Sequence, residues 1–563
     1  MKRNNITKPL MLICTAALLL TSCYDDLSTG SSIEIPRIVL LNSTGTLRFD
    51  YLEEVDYRPE LAFRKEGVAD VPFRESDYDA YNYVWRLTNT TGTMDTSRTT
   101  IAEGSALKTT IIAAPTGGSP LNLALYMKHK ETGMQYSFYW DVNVLGQFSA
   151  GYLVADTRDE QTSDISLIMS YQHNYDMWTG SSANGWFPLE DRIHRNIYST
   201  TNLAPIEGIV SSLMYSEYMY GGFAEIAAVV KGRSYTRMDL NSMKVMDRNE
   251  EVFHVPPVPF NPQMAFSLAY NMFMLTVLIN DGQPYTYVSS ENDGKYMRLA
   301  EDDNPYEIAE GVVVPIQVYT TARSLFFDQK GGKVICLNSA TNVVPRRGFE
   351  ELPEPINVSV FDPRALSNFD CLYAGYFHAT SSFHRSAWLL RDKSSGKPYV
   401  YELETTGDRS PYNFQVQGLE IFDMSNCTDL ANATCYVTTY NYREFFYAVG
   451  NKIYVSILTS GVPAPNARVV FETTNPNEVI THMENYLSYG GAYTYWAYAD
   501  NGGATRTTAK NNQLTIATYN PTTGEGKVYA LPRQYAGSGE FAEREFISEW
   551  GGFGRITAIC QRD

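Results

Sequence analysis

The residue with the clearest chemical role in this sequence is Cys23, which lies just after a short apolar segment and two small residues. Three basic residues within the first eight positions and an apolar run over residues 10–20 precede it. A run of this length is too short to span a bilayer, which needs about 20 residues. The basic start, the apolar run and the small residues before Cys23 predict a secretory signal peptide over residues 1–22.

The tetrapeptide that ends at Cys23, Leu-Thr-Ser-Cys, resembles the lipobox of bacterial lipoproteins. The resemblance implies that Cys23 becomes the new N-terminus, carries several acyl chains and holds the protein on a membrane. The pair Asp25-Asp26 resembles the export signal of surface lipoproteins in Bacteroidetes, which implies an outer-membrane lipid anchor and exposure at the cell surface. The alternative is an ordinary signal peptide with an incidental cysteine.

Five further cysteines would remain in the exported protein after residues 1–22 are removed and Cys23 is acylated. Cys427 and Cys435 flank a polar loop of seven residues, and an oxidising compartment would allow a disulfide between them. Two unpaired thiols are the equal alternative. Cys336 and Cys560 lie in apolar, strand-like runs and are interpreted as small buried residues.

Motifs of catalytic and cofactor sites are absent from the sequence. It contains no His-Glu-x-x-His, no Gly-x-Ser-x-Gly, no phosphate loop and no Gly-x-Gly-x-x-Gly. We therefore expect no catalytic residue, no metal and no cofactor, although two carboxylates from distant segments could still form a glycosidase pair. The remaining potential metal ligands are interpreted as polar loop and turn residues: His378, His384, Asp302, Asp303, Asp156, Asp159 and Glu160.

Aromatic residues concentrate in three polar, glycine-containing segments, 173–187, 215–222 and 486–503. Aromatic rings stack on sugars or pack on peptides at low entropic cost, so these segments are candidate binding sites. The alternation within 486–498 also fits a buried strand, and this core interpretation is favoured for most of that segment. The predicted ligand-binding residues are Tyr175, Trp178, Trp186, Tyr218, Tyr220 and Trp496.

Composition indicates a folded, acidic protein of more than one domain. The 563 residues carry a formal net charge of −18, with 44% hydrophobic and 19% charged residues. No basic stripe is present, and nucleic-acid binding needs one, so the sequence predicts no nucleic-acid partner. The abundance of Tyr, Thr, Val and Ile and the recurrent Gly-containing turns predict an all-β protein.

The first domain is expected to be a β-sandwich over residues 35–147, after a polar tether at 23–34. The alternating segment Tyr81-Asn-Tyr-Val-Trp85 places Trp85 as the buried ring between two sheets. A hairpin is predicted around Glu131-Thr-Gly133, between two apolar-rich strands. Together with the segment Gly151-Tyr-Leu-Val154, these features resemble the PKD-like family of Bacteroidetes lipoproteins, with an immunoglobulin-like fold.

Residues 148–563 contain a weak repeat that predicts a β-propeller of about seven blades. Seven strand-like signatures begin at positions 195, 233, 283, 333, 397, 452 and 513. A four-stranded blade needs about 40–50 residues, which suits this spacing. The last alternating segment, 553–560, is predicted to close the ring against 151–169, because closure removes two exposed edges. A series of separate sandwiches is the alternative.

The resemblance also implies a function. PKD-like surface lipoproteins are generally associated with Sus-type importers, formed by a TonB-dependent outer-membrane transporter and its lipoprotein lid. The expected role is therefore a non-catalytic accessory subunit that binds a glycan, a peptide or partner proteins. The alternatives are a propeller hydrolase or lyase acting on polysaccharide or peptide, and a purely structural assembly subunit.

Overall fold

The computed structural model describes most of the chain between residues 37 and 562. Its strands and helices belong to two compact units, Met1–Leu145 and Gly146–Asp563. Within the described part, no helix is both long and apolar enough to cross a membrane. Cys23 and the tether lie outside the described residues, as do 42–45, 51–52, 66, 89–97, 114–119, 146–147, 149, 172–176, 182–184, 217–224, 271–272, 289–293, 299–305, 310–313, 319–320, 340–348, 380–382, 407–413, 440–441, 486–512 and 536.

The first unit is built almost entirely of strands. Its elements are β1 (Arg37–Leu40), β2 (Thr46–Asp50), β3 (Glu54–Tyr57), β4 (Leu61–Arg64), β5 (Val71–Pro72), α1 (Glu75–Tyr78), β6 (Tyr81–Thr88), β7 (Arg98–Glu103), β8 (Leu107–Thr110), β9 (Leu121–His129) and β10 (Gln135–Leu145). They form a five-stranded sheet in the order β2-β10-β9-β6-β7, a three-stranded sheet β1-β4-β5 and the pair β3-β8.

Trp85 is the centre of the core of this unit, as its place in the alternating strand predicts. It is fully buried, its indole Nε1 donates to the carbonyl oxygen of Gly104 at 3.0 Å, and its ring stacks on Trp140 with centroids 5.7 Å apart. The predicted hairpin is confirmed, because β9 and β10 pair from Lys128↔Gln135 onwards. Assignment to the PKD-like family stays a prediction.

The second unit begins with strands and one short helix. These elements are β11 (Gly151–Thr157), β12 (Thr162–Met169), β13 (Trp178–Ser181), β14 (Gly185–Pro188), β15 (Arg192–His194), α2 (Ile197–Asn202), β16 (Ile206–Glu207), β17 (Ser212–Ser216), β18 (Glu225–Val230), β19 (Ser234–Asp239), β20 (Val245–Arg248), β21 (Pro262–Tyr270), β22 (Phe273–Asn280), β23 (Gln283–Val288) and β24 (Met297–Arg298).

The same pattern continues to the end of the chain. The strands are β25 (Val314–Val318), β26 (Thr321–Asp328), β27 (Lys333–Ser339), β28 (Phe349–Glu351), β29 (Phe369–Ala379), β30 (Phe383–Asp392), β31 (Pro398–Thr406), β32 (Gln415–Asp423), β33 (Cys435–Thr438), β34 (Glu444–Val449), β35 (Lys452–Ile457), β36 (Ala467–Glu472), β37 (Val479–Asn485), β38 (Gln513–Asn520), β39 (Glu525–Tyr535), β40 (Glu540–Phe541), β41 (Ser548–Phe553) and β42 (Arg555–Arg562). The described 3₁₀ helices are Asn249–Val252, Met424–Asn426, Leu430–Asn432 and Arg544–Phe546.

Apart from the two-stranded pair β13-β14, these strands form seven antiparallel sheets within the described residues, so the prediction of a β-propeller is confirmed. Sheets 2 to 6 each contain four consecutive strands, from β17–β20 to β33–β36. Sheet 7 contains β37, β38 and β39 with β40 and β41, and sheet 1 has the order β15-β12-β11-β42 with β16 beside β12. The innermost strands, β42, β17, β21, β25, β29, β33 and β37, contact one another in this order and return to β42.

Apolar clusters between neighbouring sheets hold the ring together. One cluster joins Ala155 of sheet 1 to Ile226 of sheet 2, and equivalent clusters follow at each junction around the ring. Between sheets 7 and 1, Val528 packs with Tyr152 and Ile559. The predicted closure is confirmed, because β42 pairs with β11 from Gly151↔Arg562 to Thr157↔Arg555.

Two details of the predicted repeat are wrong. The signature that begins at Arg195 is not a strand: residues 197–202 form α2, in which the adjacent residues Ile197 and Tyr198 are both buried. The signature at Gln513 is the second strand of its sheet, whereas those at 233, 283, 333, 397 and 452 fall on third strands. The blade number remains seven because β42, from the far end of the chain, supplies the innermost strand of sheet 1.

The predicted disulfide between Cys427 and Cys435 is not formed. Neither thiol is part of a disulfide, and the same holds for Cys336, Cys371 and Cys560. Cys427 lies in the apolar cluster between sheets 5 and 6, whereas Cys435 packs against the cluster between sheets 6 and 7. The two side chains therefore lie on opposite faces of sheet 6, which their separation in sequence does not reveal.

Alkylation would test this arrangement of thiols. If the protein is unfolded and treated with iodoacetamide without a reductant, all five described cysteines should be carbamidomethylated in the peptide mass spectrum. The reason is that none of these five is held in a disulfide. Recovery of a Cys427–Cys435 cross-linked peptide from protein purified under non-reducing conditions would contradict the structure.

Candidate ligand-binding face

The direction of the innermost strands divides the propeller into two chemically different faces. Ser212 Oγ donates to Ala265 O at 3.3 Å and Ser267 Oγ donates to Tyr215 O at 2.7 Å, so β17 and β21 run in the same direction. Strand direction alternates within an antiparallel sheet. The chain therefore joins first to second strands at one end of the propeller, and it joins third to fourth strands at the same end. This end is named the connection face. Connections between second and third strands emerge at the other end, the turn face.

The turn face combines tight turns within the sheets with longer connections between sheets, such as residues 352–368 between β28 and β29. The connections between second and third strands contain only two to five residues in all seven sheets. Two of the turns require glycine: Gly282 has φ +74° and Gly332 has φ +60°. A Cβ atom would lie 2.1 Å from Tyr306 O at the first position and 2.2 Å from Ser367 Cα at the second. Tyr306 and Ser367 belong to connections between sheets, so these connections pack closely against the two turns.

The strands that flank all three aromatic-rich segments end or begin at the connection face. Segment 486–512 joins β37 to β38 in sheet 7, the stretch between β12 and β15 belongs to sheet 1, and segment 217–224 joins β17 to β18 in sheet 2. Because the ring closes, sheets 7, 1 and 2 are consecutive. Gln513 Nε2 donates to Tyr152 OH at 2.8 Å in a buried contact, which places the start of β38 in sheet 7 beside the start of β11 in sheet 1.

The described residues show only part of the predicted binding set. Trp178 and Trp186 belong to an antiparallel hairpin in which Trp178 pairs with Pro188 and Gly180 with Trp186. The sequence indicated an irregular loop there, but aromatic residues and threonine favour strands and a two-stranded ribbon forms. Tyr175, Tyr218, Tyr220 and Trp496 lie outside the described residues.

A buried ion cluster lies under the connection face between sheets 2 and 3. Glu225 is the first residue of β18, and its Oε2 is 3.2 Å from Arg237 Nε, with both side chains fully buried. Arg237 also donates to the Asp247 carboxylate and to the carbonyl oxygen of Gly294. Glu225 follows segment 217–224, and Gly294 follows segment 289–293. Arg237 therefore links Glu225 at the start of β18 to Gly294, which follows β23 in the neighbouring sheet.

Three tyrosines complete this cluster. Tyr235 OH and Tyr296 OH are 2.9 Å apart, Tyr235 OH is 3.5 Å from Glu225 Oε1, and the ring centroids of Tyr287 and Tyr296 are 5.0 Å apart. Burial raises the pKa of Glu225 to about 7, although the charge of Arg237 acts in the opposite direction. Burial also raises the pKa values of the three tyrosines well above their ordinary value. Glu225, Arg237 and the three tyrosines are fully buried, so they support the face from below.

A second set of buried ion pairs links sheets 5, 6 and 7 at the same face. Arg443 Nη2 is 2.7 Å from Glu402 Oε2, and Arg443 Nη1 donates to Glu420 Oε2 at 2.9 Å. The next residue, Glu444, points the other way, accepts from Gly539 N at 2.7 Å and pairs with Arg533 of sheet 7. Adjacent residues in a strand point to opposite faces, so this one dipeptide joins three sheets.

Sequence reasoning missed both ion clusters, although one signal was present. In Glu225-Ile-Ala-Ala-Val-Val and Glu444-Phe-Phe-Tyr-Ala-Val, an acid directly precedes an apolar strand. A carboxylate at the end of a buried strand is usually solvated, and only the fold shows the arginine that faces each one. No sequence rule pairs Glu444 with Arg533, which follows it by 89 residues.

The candidate metal ligands have other roles. Asp156 Oδ2 accepts from Gly554 N at 2.6 Å across the ring closure. Asp159 Oδ1 accepts from the backbone N–H groups of Thr162 at 2.7 Å and Gln161 at 2.9 Å, and these bonds lower the pKa of Asp159 to about 2. Asp302 and Asp303 lie outside the described residues. Among the described residues, no group of three or more His, Cys, Asp or Glu side chains could hold a metal.

His378 and His384 are not loop residues as the sequence suggested. They lie in the paired strands β29 and β30, where Ala379 faces His384. His384 is buried, and burial lowers its pKa to about 4.

His384 should make the propeller sensitive to acid. A histidine whose pKa is lowered on folding contributes stability above its unfolded pKa of about 6.5 and loses it as the pH falls towards the folded value. We expect the free energy of unfolding to decrease by about 3 kcal/mol at most between pH 6.5 and pH 4 from this group. Denaturation at both pH values should show a smaller decrease for His384→Gln. An equal decrease in the two proteins would contradict the buried, neutral imidazole.

A shallow groove on the turn face has a different lining. Its volume is about 870 Å³. It lies between the turns that join second to third strands in sheets 1 and 2, beside Glu160, Thr162 and Glu207. Arg233 Nη2 donates to Glu207 Oε2 at 2.9 Å at its edge. It contains no aromatic residue, in contrast to the segments of the connection face.

Comparison with known proteins adds a likeness in fold alone. No family model matches the chain, and no curated protein is significantly similar in sequence. A quinonprotein alcohol dehydrogenase-like protein from Bacteroides thetaiotaomicron is 10% identical, with a TM-score of 0.33 over 93% of this chain and 96% of that one.

Two further solved structures are similar to the same degree. A putative 6-phosphogluconolactonase from Bacteroides uniformis is 8% identical, with a TM-score of 0.37 over 74% of this chain and 100% of that one. A dihydro-heme d1 dehydrogenase is also 8% identical, with a TM-score of 0.36 over 78% and 72%. At such identities and scores, no substrate, cofactor or activity is transferred to this chain.

Proposed function

We propose that this protein is an outer-membrane surface lipoprotein, anchored through Cys23, that binds a glycan or peptide at the connection face of its propeller. In this proposal it is a non-catalytic accessory subunit of a Sus-type uptake system and works beside a TonB-dependent transporter and its lipoprotein lid. The signal sequence, the lipobox and the resemblance to PKD-like lipoproteins support the location and the partners.

One observation supports the binding role above all. Ring closure places sheets 7, 1 and 2 side by side, and their three aromatic-rich segments all start and end at the connection face. The segments are separated by up to about 300 residues in the sequence. Binding sites commonly form where loops from a rigid scaffold converge.

The buried carboxylates favour binding over hydrolysis. A hydrolase needs acids that reach the substrate, with one of them protonated near neutral pH. Glu225 has a suitably raised pKa, but it is fully buried and paired with Arg237. Glu402 and Glu444 are likewise buried and paired with Arg443 and Arg533. These three carboxylates form ion pairs that hold neighbouring strands and sheets together.

Binding can be tested with the full chain and defined glycans and peptides. The aromatic variants Trp178→Ala and Trp496→Ala should each weaken binding of any ligand found by about tenfold, since a stacked ring contributes about 1–3 kcal/mol. Leu203→Ser is the control, because Leu203 is 92% exposed and lies outside the aromatic segments. Equal affinity in all variants would contradict the assignment of the face, and turnover of the ligand would favour the enzyme.

Location and partners need a separate test. Cys23→Ala should release the protein from the membrane fraction and abolish labelling with palmitate, because acylation requires the thiol. A tagged, acylated protein should recover a TonB-dependent transporter from solubilised native membranes. Retention and labelling of Cys23→Ala would contradict the lipobox, and the absence of any transporter would contradict the accessory role.

A further inference from the structure

We propose that the junction of sheets 6 and 7 at the connection face is a subsite for a neutral glycan. This inference rests on the proposed function and names the ligand class for one part of that face. Of the aromatic side chains that the structure describes, three are exposed: Tyr139 in the first unit, at 51%, and Tyr442 and Tyr535 in the propeller, at 39% and 68%. Both propeller tyrosines lie at this junction. The tyrosine subsite is defined by Tyr442, Tyr535, Arg468, Ser538 and Glu540.

The hairpin of β39 and β40 carries one of the two tyrosines. Gln513, the first residue of β38, pairs with Pro532, so the last three residues of β39 extend past β38 at the connection face. Beyond that point β39 pairs with the two-residue strand β40, in which Glu540 lies opposite Tyr535. Opposite residues of antiparallel strands are neighbours on one face of a sheet, so the Glu540 carboxylate borders the Tyr535 ring.

Sheet 6 supplies the second tyrosine. Tyr442 precedes β34, and a Cβ atom at Gly537 would lie 2.9 Å from Tyr442 Cδ1, so the ring packs directly on the turn of the hairpin. The guanidinium carbon of Arg533 lies 5.5 Å from the centroid of the Tyr442 ring. Arg533 is itself buried and pairs with Glu444 of sheet 6, so it holds the ring from below. The two exposed tyrosines thus flank one turn, although they belong to different sheets.

An exposed ion pair beside the rings provides hydrogen-bonding groups. Arg468 Nη2 is 3.4 Å from Glu540 Oε1 and donates to Ser538 O at 2.8 Å, and both charged side chains are 50% exposed. An arginine has five N–H donors and a carboxylate has about four acceptor sites, so most of this capacity remains for a ligand. Sugar hydroxyls both donate and accept. One hydroxyl can therefore donate to Glu540 and its neighbour can accept from Arg468, while the sugar ring stacks on Tyr535.

The charges around the subsite select a neutral ligand. Each described arginine of sheets 6 and 7 has a glutamate partner, and these pairs are Arg443–Glu402, Arg468–Glu540, Arg533–Glu444 and Arg544–Glu549. Carboxylates are in excess, because Glu420 shares Arg443, and Glu543 and Glu545 are exposed and form no ion pair within the described residues. An acidic glycan would meet this excess of negative charge, whereas a neutral glycan would not be repelled.

The isolation of Tyr535 favours a sugar over a peptide. Within the described residues, the Tyr535 ring contacts no other aromatic ring and no cation, so its faces are open for stacking. A proline-rich peptide needs a groove between adjacent aromatic rings, and an added β-strand needs an open strand edge. The rings of Tyr442 and Tyr535 do not touch, and β40 offers an edge of only two residues. A single open ring beside an ion pair suits one sugar unit better than either kind of peptide.

The test measures how far native gels that contain a polymer retard the full chain. The neutral glycans are starch, arabinoxylan, galactomannan and β-glucan, the acidic glycan is polygalacturonate, and the peptide is poly-L-proline. We expect retardation by at least one neutral glycan and by neither other polymer. Tyr442→Ala and Tyr535→Ala should each weaken that binding about tenfold, because a stacking ring is lost. Tyr535→Phe keeps the ring and should stay within about threefold of the wild type. Tyr139→Ala removes an exposed tyrosine of the first unit and is the matched control, with unchanged binding.

Three results would overturn the subsite. The first is the absence of retardation by every neutral glycan. The second is binding of polygalacturonate or poly-L-proline that depends on Tyr535, which would identify an acidic glycan or a proline-rich peptide as the ligand. The third is glycan binding that Tyr442→Ala and Tyr535→Ala leave unchanged. If Trp178→Ala and Trp496→Ala weaken binding in that third case, the proposed function stands and only the subsite at sheets 6 and 7 is wrong.

Discussion

Replacing Arg237 with methionine is expected to destabilise the propeller by about 3–5 kcal/mol, because the buried Glu225 loses its partner and its carboxyl must either take up a proton or stay charged without compensation. The variant also removes the donors to Asp247 and to the carbonyl oxygen of Gly294. The free energy of unfolding, measured by chemical denaturation, would report the loss. Hydrogen exchange should become faster in β18 and β19, which flank the cluster.

Arg233→Met is the matched control for this prediction. Arg233 lies in the turn just before β19, is 56% exposed and pairs with Glu207 on the surface, so its loss should cost less than about 1 kcal/mol. The second variant E225Q/R237M should recover part of the stability, because it removes the buried charge. Equal losses for Arg233→Met and Arg237→Met would contradict the cluster.

Replacing Trp85 with alanine should destabilise the first unit by about 3–5 kcal/mol, since it empties the centre of the core. The indole is fully buried, stacks on Trp140 and has Tyr57 at its edge, with ring centroids 6.3 Å apart. Hydrogen exchange of the amides in β6 and β9 is the suitable measurement, because it separates the two units.

Tyr139→Ala is the control for the core substitution. Tyr139 lies in the same five-stranded sheet but points outwards and is 51% exposed, so its removal should cost less than about 1 kcal/mol. Trp85→Phe should retain much of the stability because it keeps an aromatic ring in the site. If Trp85→Ala and Tyr139→Ala changed exchange equally, the indole would not be the centre of the core.

The sequence was sufficient for the features that depend on local pattern. Alternation identified Trp85 as buried, and the spacing of the repeated strand signatures predicted a ring of about seven sheets. The closing role of β42 followed from a strand with no later partner. Each of these inferences rests on the period of two in a strand and on the cost of an exposed edge.

Other features depend on contacts between distant segments and were not predictable. Cys427 and Cys435 are close in sequence, but their side chains lie on opposite faces of sheet 6. The signature at Arg195 has a strand-like pattern but folds as α2 because tertiary packing buries Ile197 and Tyr198 together. The arginines that neutralise Glu225 and Glu444 become visible only when the sheets are placed side by side.

The candidate binding face was only partly predictable from the sequence. The aromatic composition of the three segments was evident, but segment 486–503 is far from 173–187 in the sequence. Only the closed ring makes sheets 7, 1 and 2 neighbours. The account of the binding face therefore depends on the pairing of β42 with β11.

An engineered disulfide tests that pairing most directly. Ala155 and Ala558 lie opposite each other in β11 and β42, are both buried and point towards sheet 2. The variant A155C/A558C should form a cross-link on mild oxidation of the folded protein, because opposite residues of paired strands have Cβ atoms about 5 Å apart.

The matched control is A155C/A530C, in which the second cysteine lies in the cluster between sheets 7 and 1, on the other side of sheet 1. We predict a peptide cross-linked between the two introduced cysteines in the mass spectrum of the first variant and none in the control. Failure of the first variant to cross-link while folded, or equal cross-linking of both, would contradict the closed ring and the binding face that depends on it.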